Sequence, residues 1–133
     1  DDAGCKAYKG EPMTILIVDD EPEVAEVLAR SLAREGHRAL VAHSGPEALA
    51  LIEPGEPDAV FLDVSMPGMN GLEVLAEVRR RKPGLPVVVI TGRATPDEVE
   101  ELKRLGAVDV IPKPAPLTHY QEAIGRLRRP SLP

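Results

Sequence analysis

The sequence predicts an α/β domain built on a doubly wound, five-stranded parallel sheet. Five short apolar runs alternate with segments in which apolar residues recur every three or four positions, as in strands joined by crossover helices. Aromatic residues make up only 2% of the chain, so the core must consist of Val, Leu, Ile and Ala, which is typical of a buried parallel sheet. The 133 residues fit one domain, which we place at 13–129, between a linker or added extension at 1–12 and a tail at 130–133.

The first two strands are predicted at 14–18 and 38–42, with a helix between them. Pro22 suits the first turn of this helix, and Gly36 is expected to end it before the second strand. The apolar face predicted for the helix consists of Val24, Val27, Leu28 and Leu32.

A second helix, reaching about residue 52, is predicted because Ser44 and Glu47 form a capping-box pattern at its start. The residues that break the chain before the third strand, predicted at 59–62, are Pro54, Gly55 and Pro57. The apolar face of the third helix, which the proline-glycine pair at 83–84 closes, consists of Leu72, Leu75 and Val78.

The fourth strand, predicted at 87–90, is apolar throughout and is therefore expected in the centre of the sheet. A second capping-box pattern begins at Thr95, and the helix that follows is predicted to end at Gly106. Its apolar face consists of Val99, Leu102 and Leu105. The fifth strand, at 108–111, is followed by Pro112, which lacks a hydrogen-bond donor and argues for an edge position. The residues that define the last helix are Leu117, Ile124 and Leu127.

Polar residues follow four of the five strands at the same end. They are Asp19 and Asp20, Asp63, Thr91 and Lys113. Because parallel strands all point the same way, these side chains are expected to meet at the carboxyl edge of the sheet, where open α/β sheets place their sites. If the first and third strands are neighbours, the three carboxylates lie close together and repel one another unless a cation neutralises them. Hard oxygen ligands of this kind suit Mg²⁺, which keeps several waters and binds substrate phosphate.

Each of these residues also has an ordinary structural explanation when it is taken alone. Asp20 or Glu21 is a suitable N-cap for the first helix. Thr91 is a β-branched residue at the end of a strand, and Lys113 is a loop residue between two prolines. Their joint occurrence at four strand ends favours a site for a divalent cation and for phosphoryl chemistry.

Further residues accompany these strand ends in a specific order. The full set is Asp19-Asp20, Asp63, Met66-Pro67, Gly71, Thr91 and Lys113-Pro114. In this order the set resembles the signature of the receiver domain of bacterial two-component response regulators, over about residues 13–129. The resemblance implies a flavodoxin-like receiver fold with the strand order 2-1-3-4-5. It also implies a signalling domain that catalyses only its own phosphorylation and dephosphorylation.

The resemblance implies a role for each residue of the site. Asp63 is implied to be the phosphoacceptor, which receives its phosphoryl group from a sensor histidine kinase, a phosphotransfer protein or a small phosphodonor. Thr91 and Lys113 are implied to take up the phosphoryl oxygens, and the bond from Lys113 to Pro114 is implied to be cis. The implied Mg²⁺ ligands are Asp19, Asp20, Asp63 and the backbone carbonyl of Ser65. The implied downstream partner is an output domain or a separate effector protein.

Two positions depart from the usual pattern of the family, which has aromatic residues there. They are Val110, three residues before the lysine of the site, and Ala115, directly after the Lys-Pro pair. We therefore expect phosphorylation to switch the domain without an aromatic side chain. The residues two positions past the phosphoacceptor and the threonine, Ser65 and Arg93, are expected to set the lifetime of the acyl phosphate.

Three rival functions fit the sequence less well. A non-phosphorylated pseudo-receiver that acts only as a docking module is the main alternative, although the intact set of site residues argues against it. An aspartyl-phosphate phosphatase would need a second Asp two residues after its nucleophile, where this chain has Ser65. A flavodoxin would need a phosphate loop rich in Ser, Thr and Gly after the first strand, where this chain is acidic.

The composition argues against nucleic-acid and membrane partners. The net charge is -6, and the short basic clusters at 79–82 and 126–129 are better explained by helix C-termini than by phosphate binding. No apolar stretch approaches the length of a membrane span. The single cysteine, Cys5, fits a reducing cytoplasm.

Overall fold

The computed structural model describes residues 12–65 and 71–128, in which five strands and five helices alternate along the chain. The strands are β1 (Thr14–Val18), β2 (Arg38–Ala42), β3 (Ala59–Asp63), β4 (Val87–Thr91) and β5 (Asp109–Pro112). The helices are α1 (Pro22–Arg34), α2 (Gly45–Ile52), α3 (Gly71–Arg81), α4 (Pro96–Arg104) and α5 (Leu117–Arg128). The strands are parallel in the order β2-β1-β3-β4-β5, which confirms the predicted fold class and strand order. The predicted Met66-Pro67 turn lies outside the described residues, as do most of the predicted extension and the tail.

The register between neighbouring strands decides which residues reach the carboxyl edge of the sheet. Val18 of β1 pairs with Leu62 of β3, so Asp19 and Asp63 follow at adjacent positions. β3 and β4 pair up to Asp63, and the last residue of β4, Thr91, lies one step beyond that point. The predicted convergence of strand ends is therefore a direct result of the register.

The core has two layers, one on each face of the sheet, because alternate side chains of a strand point to opposite faces. One layer packs Val60 and Leu62 of β3 against α2, α3 and α4. The other packs Phe61 of β3 against α1 and α5, where it meets Tyr120 edge to face with ring centroids 5.8 Å apart. This two-sided burial holds the strand that carries Asp63 rigidly in the middle of the sheet.

Local sequence signals account for the helix ends. Ser44 Oγ accepts a hydrogen bond from the Glu47 backbone N–H at the start of α2, at 3.2 Å, which confirms the predicted cap. Thr95 caps α4 in the same way, again at 3.2 Å. Gly36 and Gly106 follow α1 and α4 with φ angles of 90° and 110°, which side-chain-bearing residues rarely adopt.

The predicted inner face of α1 is wrong at two positions. Val24 and Val27 are 39% and 52% exposed, respectively. The residues that α1 buries are Ala25, Leu28, Ser31 and Leu32. Counting only large apolar side chains favoured the two valines, whereas the small Ala25 packs in the core beneath the sheet and Ser31 accepts a hydrogen bond from Gln121 of α5. Leu72 of α3 and Leu117 of α5 were also predicted to face inward, and both are exposed. Leu117 lines a shallow groove with the two valines.

No helix among the described residues is long and apolar enough to cross a membrane. The fifth strand runs from Asp109 to Pro112, so both of its ends lie one residue later than predicted, and Val108 before it is exposed. β5 lies at the edge of the sheet, as its terminal Pro112 predicts.

Candidate functional site

The site lies at the carboxyl edge of the sheet, where three polar side chains are buried. Asp19 follows β1, and Asp63 and Thr91 are the last residues of β3 and β4. The exposed fractions of these three residues are 2%, 1% and 1%, whereas Asp20 is exposed. Carboxylates are seldom buried without a partner, because removing the charge from water is costly. Two buried carboxylates side by side therefore require compensating charge.

Lys113 supplies part of that charge. Its Nζ lies 2.5 Å from Asp63 Oδ2 and 3.7 Å from a carboxylate oxygen of Glu21. The Lys113 backbone N–H donates to the Thr91 carbonyl at 2.7 Å, which ties the loop after β5 to the end of β4. The Lys113–Pro114 peptide bond is cis, as the resemblance implies. The other oxygen of the buried carboxylate, Asp63 Oδ1, accepts the Ser65 backbone N–H at 2.8 Å.

Four carboxylates form a cluster that could hold a divalent cation. Asp19, Asp20, Glu21 and Asp63 each offer an oxygen atom, and these atoms all lie within 4.8 Å of one another. Asp19 Oδ1 also accepts the Glu21 backbone N–H at 2.9 Å, which fixes the turn between β1 and α1. A set made only of oxygen donors fits a hard cation such as Mg²⁺. The residues present therefore fit the metal that the resemblance implies.

Burial and the neighbouring charges shift the pKa values of Asp19 and Lys113. Burial raises the pKa of Asp19 above its ordinary value, and the charge of Asp63 adds to the effect, while the Glu21 N–H and Lys113 oppose it. Burial works to lower the pKa of Lys113, but its hydrogen bond to Asp63 and the surrounding carboxylates raise it overall. Lys113 is therefore an ammonium at neutral pH.

The raised pKa of Asp19 has a defined consequence for stability. A folded-state pKa above the unfolded value means that the folded protein binds more protons as Asp19 titrates. Folding stability therefore falls as pH rises from the ordinary carboxyl pKa through the raised one, and the full cost is present above the raised pKa. A bound cation that offsets the Asp19 charge would relieve it.

Two hydroxyl groups hold the loop between β4 and α4. Thr91 Oγ1 accepts the Arg93 backbone N–H at 3.0 Å, and Ser65 Oγ accepts the Gly92 backbone N–H at 2.8 Å. Arg93 is exposed on this loop. Val110 lies apart from the site, half-buried in β5 and packed against the core.

Sequence reasoning missed two residues of this edge. Glu21 was considered only as an N-cap, yet its side chain makes no capping hydrogen bond and instead belongs to the acidic cluster. His43 follows β2, and its Nδ1 lies 2.9 Å from the Asp19 backbone carbonyl, so it buttresses the loop that carries the carboxylates. Its position directly after a strand is the signal that would have found it.

The fold is the flavodoxin-like α/β fold of CheY-like receiver domains. The chain superimposes on such a domain from Methanospirillum hungatei with a TM-score of 0.81 and 28% identity, covering 87% of this chain and 93% of that one. The sequence matches the response regulator receiver domain family over residues 15–125, and the chain belongs to that family.

Two further relatives bear on the function. The chain is 40% identical over 120 residues to the probable transcriptional regulatory protein TcrX of Mycobacterium tuberculosis, covering 90% of this chain and 50% of TcrX. It is 28% identical, with a TM-score of 0.77, to a Burkholderia pseudomallei response regulator crystallised with a phosphorylated aspartic acid, calcium ion and citrate. That match covers 84% of this chain and 66% of that protein. The chain spans about half the length of the curated relatives it matches.

Proposed function

We propose that this receiver domain accepts a phosphoryl group on Asp63 from the phosphohistidine of a sensor kinase or a phosphotransfer protein. The observation that carries the proposal is the contact between Asp63 and Lys113. A fully buried carboxylate at the end of the central strand lies 2.5 Å from an ammonium and beside three further carboxylates. The related protein with a phosphorylated aspartic acid supports the assignment.

The proposed reaction follows from the positions of these groups. An oxygen of Asp63 attacks the phosphorus atom, the new P–O bond forms as the P–N bond breaks, and the electron pair of that bond returns to the imidazole. Phosphoryl transfer has a loose transition state with charge on the equatorial oxygens, so positioning and opposite charge supply most of the catalysis. Lys113 offers its ammonium to those oxygens. Thr91, one residue beyond the pairing partner of Asp63 on the neighbouring strand β4, can donate its hydroxyl to them. Bound Mg²⁺ would neutralise further charge on the phosphoryl group.

The ligands proposed for Mg²⁺ are Asp19, Asp20, Asp63 and the Ser65 carbonyl. Asp20 is exposed, whereas Asp19 is buried and already accepts the Glu21 N–H. Asp20 is therefore the carboxylate more free to bind the metal directly, and Asp19 is better suited to act through a water molecule.

This difference predicts unequal effects of substitution on Mg²⁺ binding. Asp20→Asn should weaken the affinity by more than about tenfold, since even the loss of an outer-shell partner costs roughly 10- to 100-fold. Asp19→Asn should weaken it less. Isothermal titration calorimetry measures both, with Glu23→Gln, an exposed acid in the first turn of α1, as the control. Equal losses, or a larger loss for Asp19→Asn, would rule out the ranking.

The partners are proposed at the level of class. The domain acts in a two-component pathway between a histidine kinase and either an output domain on a longer chain or a separate effector. We place it in the cytoplasm, as the single Cys5 favours. We propose the domain bounds 13–129, with residues 1–12 and 130–133 outside the fold.

The direct test of the function is incubation with acetyl phosphate or phosphoramidate in the presence of Mg²⁺. Intact mass spectrometry should show the addition of one phosphoryl group, and excess EDTA should prevent it. A pseudo-receiver would keep its original mass under all of these conditions, which would refute the proposal.

Arg93 is expected to slow the loss of the phosphoryl group. It is exposed two residues past Thr91, where a long cationic side chain can cover the acyl phosphate and hinder an attacking water. Arg93→Ala should speed autodephosphorylation by up to about fivefold, because an exposed charge contact is worth roughly 1 kcal/mol or less. The decay of phosphorylated protein after removal of the donor gives the rate. Lys103→Ala, in the last turn of α4, is the control. An unchanged or slower rate in Arg93→Ala would show that its side chain points into solvent.

Val110 is expected to take no part in the switch. It packs against the core from β5, and a β-branched side chain has little rotamer freedom. Beryllofluoride, a phosphoryl mimic, should shift amide signals of the loop after Thr91 and of α4 equally in wild type and Val110→Ala. Loss of that response in the variant would show that side-chain coupling through Val110 is required.

A further inference from the structure

The side chain of Ser65 joins the two loops on either side of the central site. Its hydroxyl accepts the Gly92 N–H at 2.8 Å, although the two residues are 27 positions apart in the chain. Its own backbone N–H donates to Asp63 Oδ1 at 2.8 Å. Ser65 is thus bonded to the buried carboxylate on one side and to the loop between β4 and α4 on the other.

The helix that follows this loop is held unequally at its two ends. Leu102 is the only residue of α4 that is fully buried, and the first residues, Pro96 and Asp97, are exposed. Beyond its C-terminal end, the Gly106 carbonyl accepts a hydrogen bond from Arg79 at 2.9 Å, and the same guanidinium binds the Pro83 carbonyl at 2.7 Å. Segments with few buried contacts open most easily, so the N-terminal end of α4 depends on its loop.

We propose that the Ser65 hydroxyl is a latch that holds the β4–α4 loop, and with it the N-terminal end of α4, in the resting position. Ser65 is a positioning residue in this role. A bond formed at Asp63 alters the carboxylate that accepts the Ser65 N–H, so the latch is coupled to the modified group through a single residue. Only its release by phosphorylation rests on the proposed function, because the latch itself exists in the unmodified protein.

The resting loop does not itself require glycine at position 92. Gly92 has no positive φ, and a Cβ atom built there would make an ordinary contact with Ser65 Oγ at 3.6 Å. Gly92→Ala therefore keeps the hydrogen-bond donor and leaves the latch intact. It provides a matched control in the same loop.

The latch is tested by amide hydrogen exchange of Gly92, measured by NMR on the unphosphorylated protein in EDTA. Ser65→Ala should exchange the Gly92 amide about fivefold faster, which corresponds to the loss of one ordinary hydrogen bond. The amide of Val89, within β4, should exchange at an unchanged rate. Ser65→Thr, which retains a hydroxyl, and Gly92→Ala should both keep slow exchange at position 92.

A second measurement separates a latch from a bond without consequence. In unmodified Ser65→Ala, the amide signals of Thr95 and of Asp97 to Val99 should move part of the way towards their beryllofluoride-bound positions, as expected for a population shift. Unchanged Gly92 exchange, or faster exchange with stationary α4 signals, would overturn the proposal. Failure of Asp63 to take up a phosphoryl group would instead contradict the proposed function and leave the exchange result standing.

Discussion

The Asp63→Asn variant is expected to stay folded and to take up no phosphoryl group. An amide oxygen is a poor nucleophile, and no other carboxylate in the described part of the chain is both buried and paired with an ammonium at this edge. The variant also removes a buried charge that repels Asp19, so part of the cost of the site disappears. The NH₂ group of the new asparagine is a donor, as are its neighbours Lys113 and the Ser65 N–H, so one of the two present hydrogen bonds is lost. Lys113 is partly exposed, so its ammonium can turn to water or to Glu21 instead.

The measurement is intact mass after treatment with acetyl phosphate and Mg²⁺, with thermal unfolding to show that the variant is folded. Asp58→Asn is the matched control. Its carboxylate accepts the Thr14 N–H at 2.8 Å at the opposite edge of the sheet, and an amide oxygen can keep that bond. Asp58→Asn should be phosphorylated like the wild type. Normal phosphorylation of Asp63→Asn at another residue would show that Asp63 is not the acceptor.

Most of the fold was predictable because local and long-range signals agree in this chain. The three inner strands, β1, β3 and β4, are apolar runs buried on both faces, and the limits of the strands are set by proline, glycine and capping residues that the sequence displays. Gly36 and Gly106 have the positive φ angles that their predicted role as helix stops requires. Agreement between local signals and the fold is what makes a sequence specify one structure.

The prediction failed where the outcome depended on close packing between elements. The inner face of α1 was assigned by the size of its apolar residues, yet the sheet buries the small Ala25 and leaves Val27 exposed. The spacing of apolar residues shows that a segment is helical, but it does not determine which face of the helix is turned towards the sheet. That orientation is set by the shape of the partner surface, which a single sequence does not display.

The candidate site was predictable to a similar degree. Strand ends identified Asp19, Asp63 and Lys113, and the register brings them together. The contacts that orient these groups were not predictable, because they are made by residues with unremarkable local roles. His43 binds a backbone carbonyl, and Ser65 binds a backbone N–H from another loop. Backbone partners of this kind leave no pattern in the sequence.

Replacing Gly71 by alanine is expected to have the largest effect on stability. Gly71 begins α3 and packs against Val64, which lies between Asp63 at the end of β3 and Ser65. A Cβ atom at this position would lie 2.4 Å from the Cβ and 2.5 Å from the Cα of Val64, which is closer than real atoms approach. Because one of these is a backbone atom, no side-chain rotation relieves the overlap, and either α3 or the loop must move. Overpacking of this kind costs about 1–3 kcal/mol or more.

This cost should appear in both the stability and the chemistry of the domain. At roughly 4 °C per kcal/mol for a domain of this size, Gly71→Ala should lower Tm by about 4–12 °C. A shift of Val64 also displaces its neighbours Asp63 and Ser65, so phosphorylation by acetyl phosphate should slow even below the transition. Gly125→Ala is the control, since a Cβ there meets nothing within 4 Å in the interior of α5. That variant should gain up to about 1 kcal/mol from helix propensity. The two glycine-to-alanine changes therefore have opposite expected signs, and a Gly71→Ala protein as stable as the wild type would show that α3 does not press against Val64.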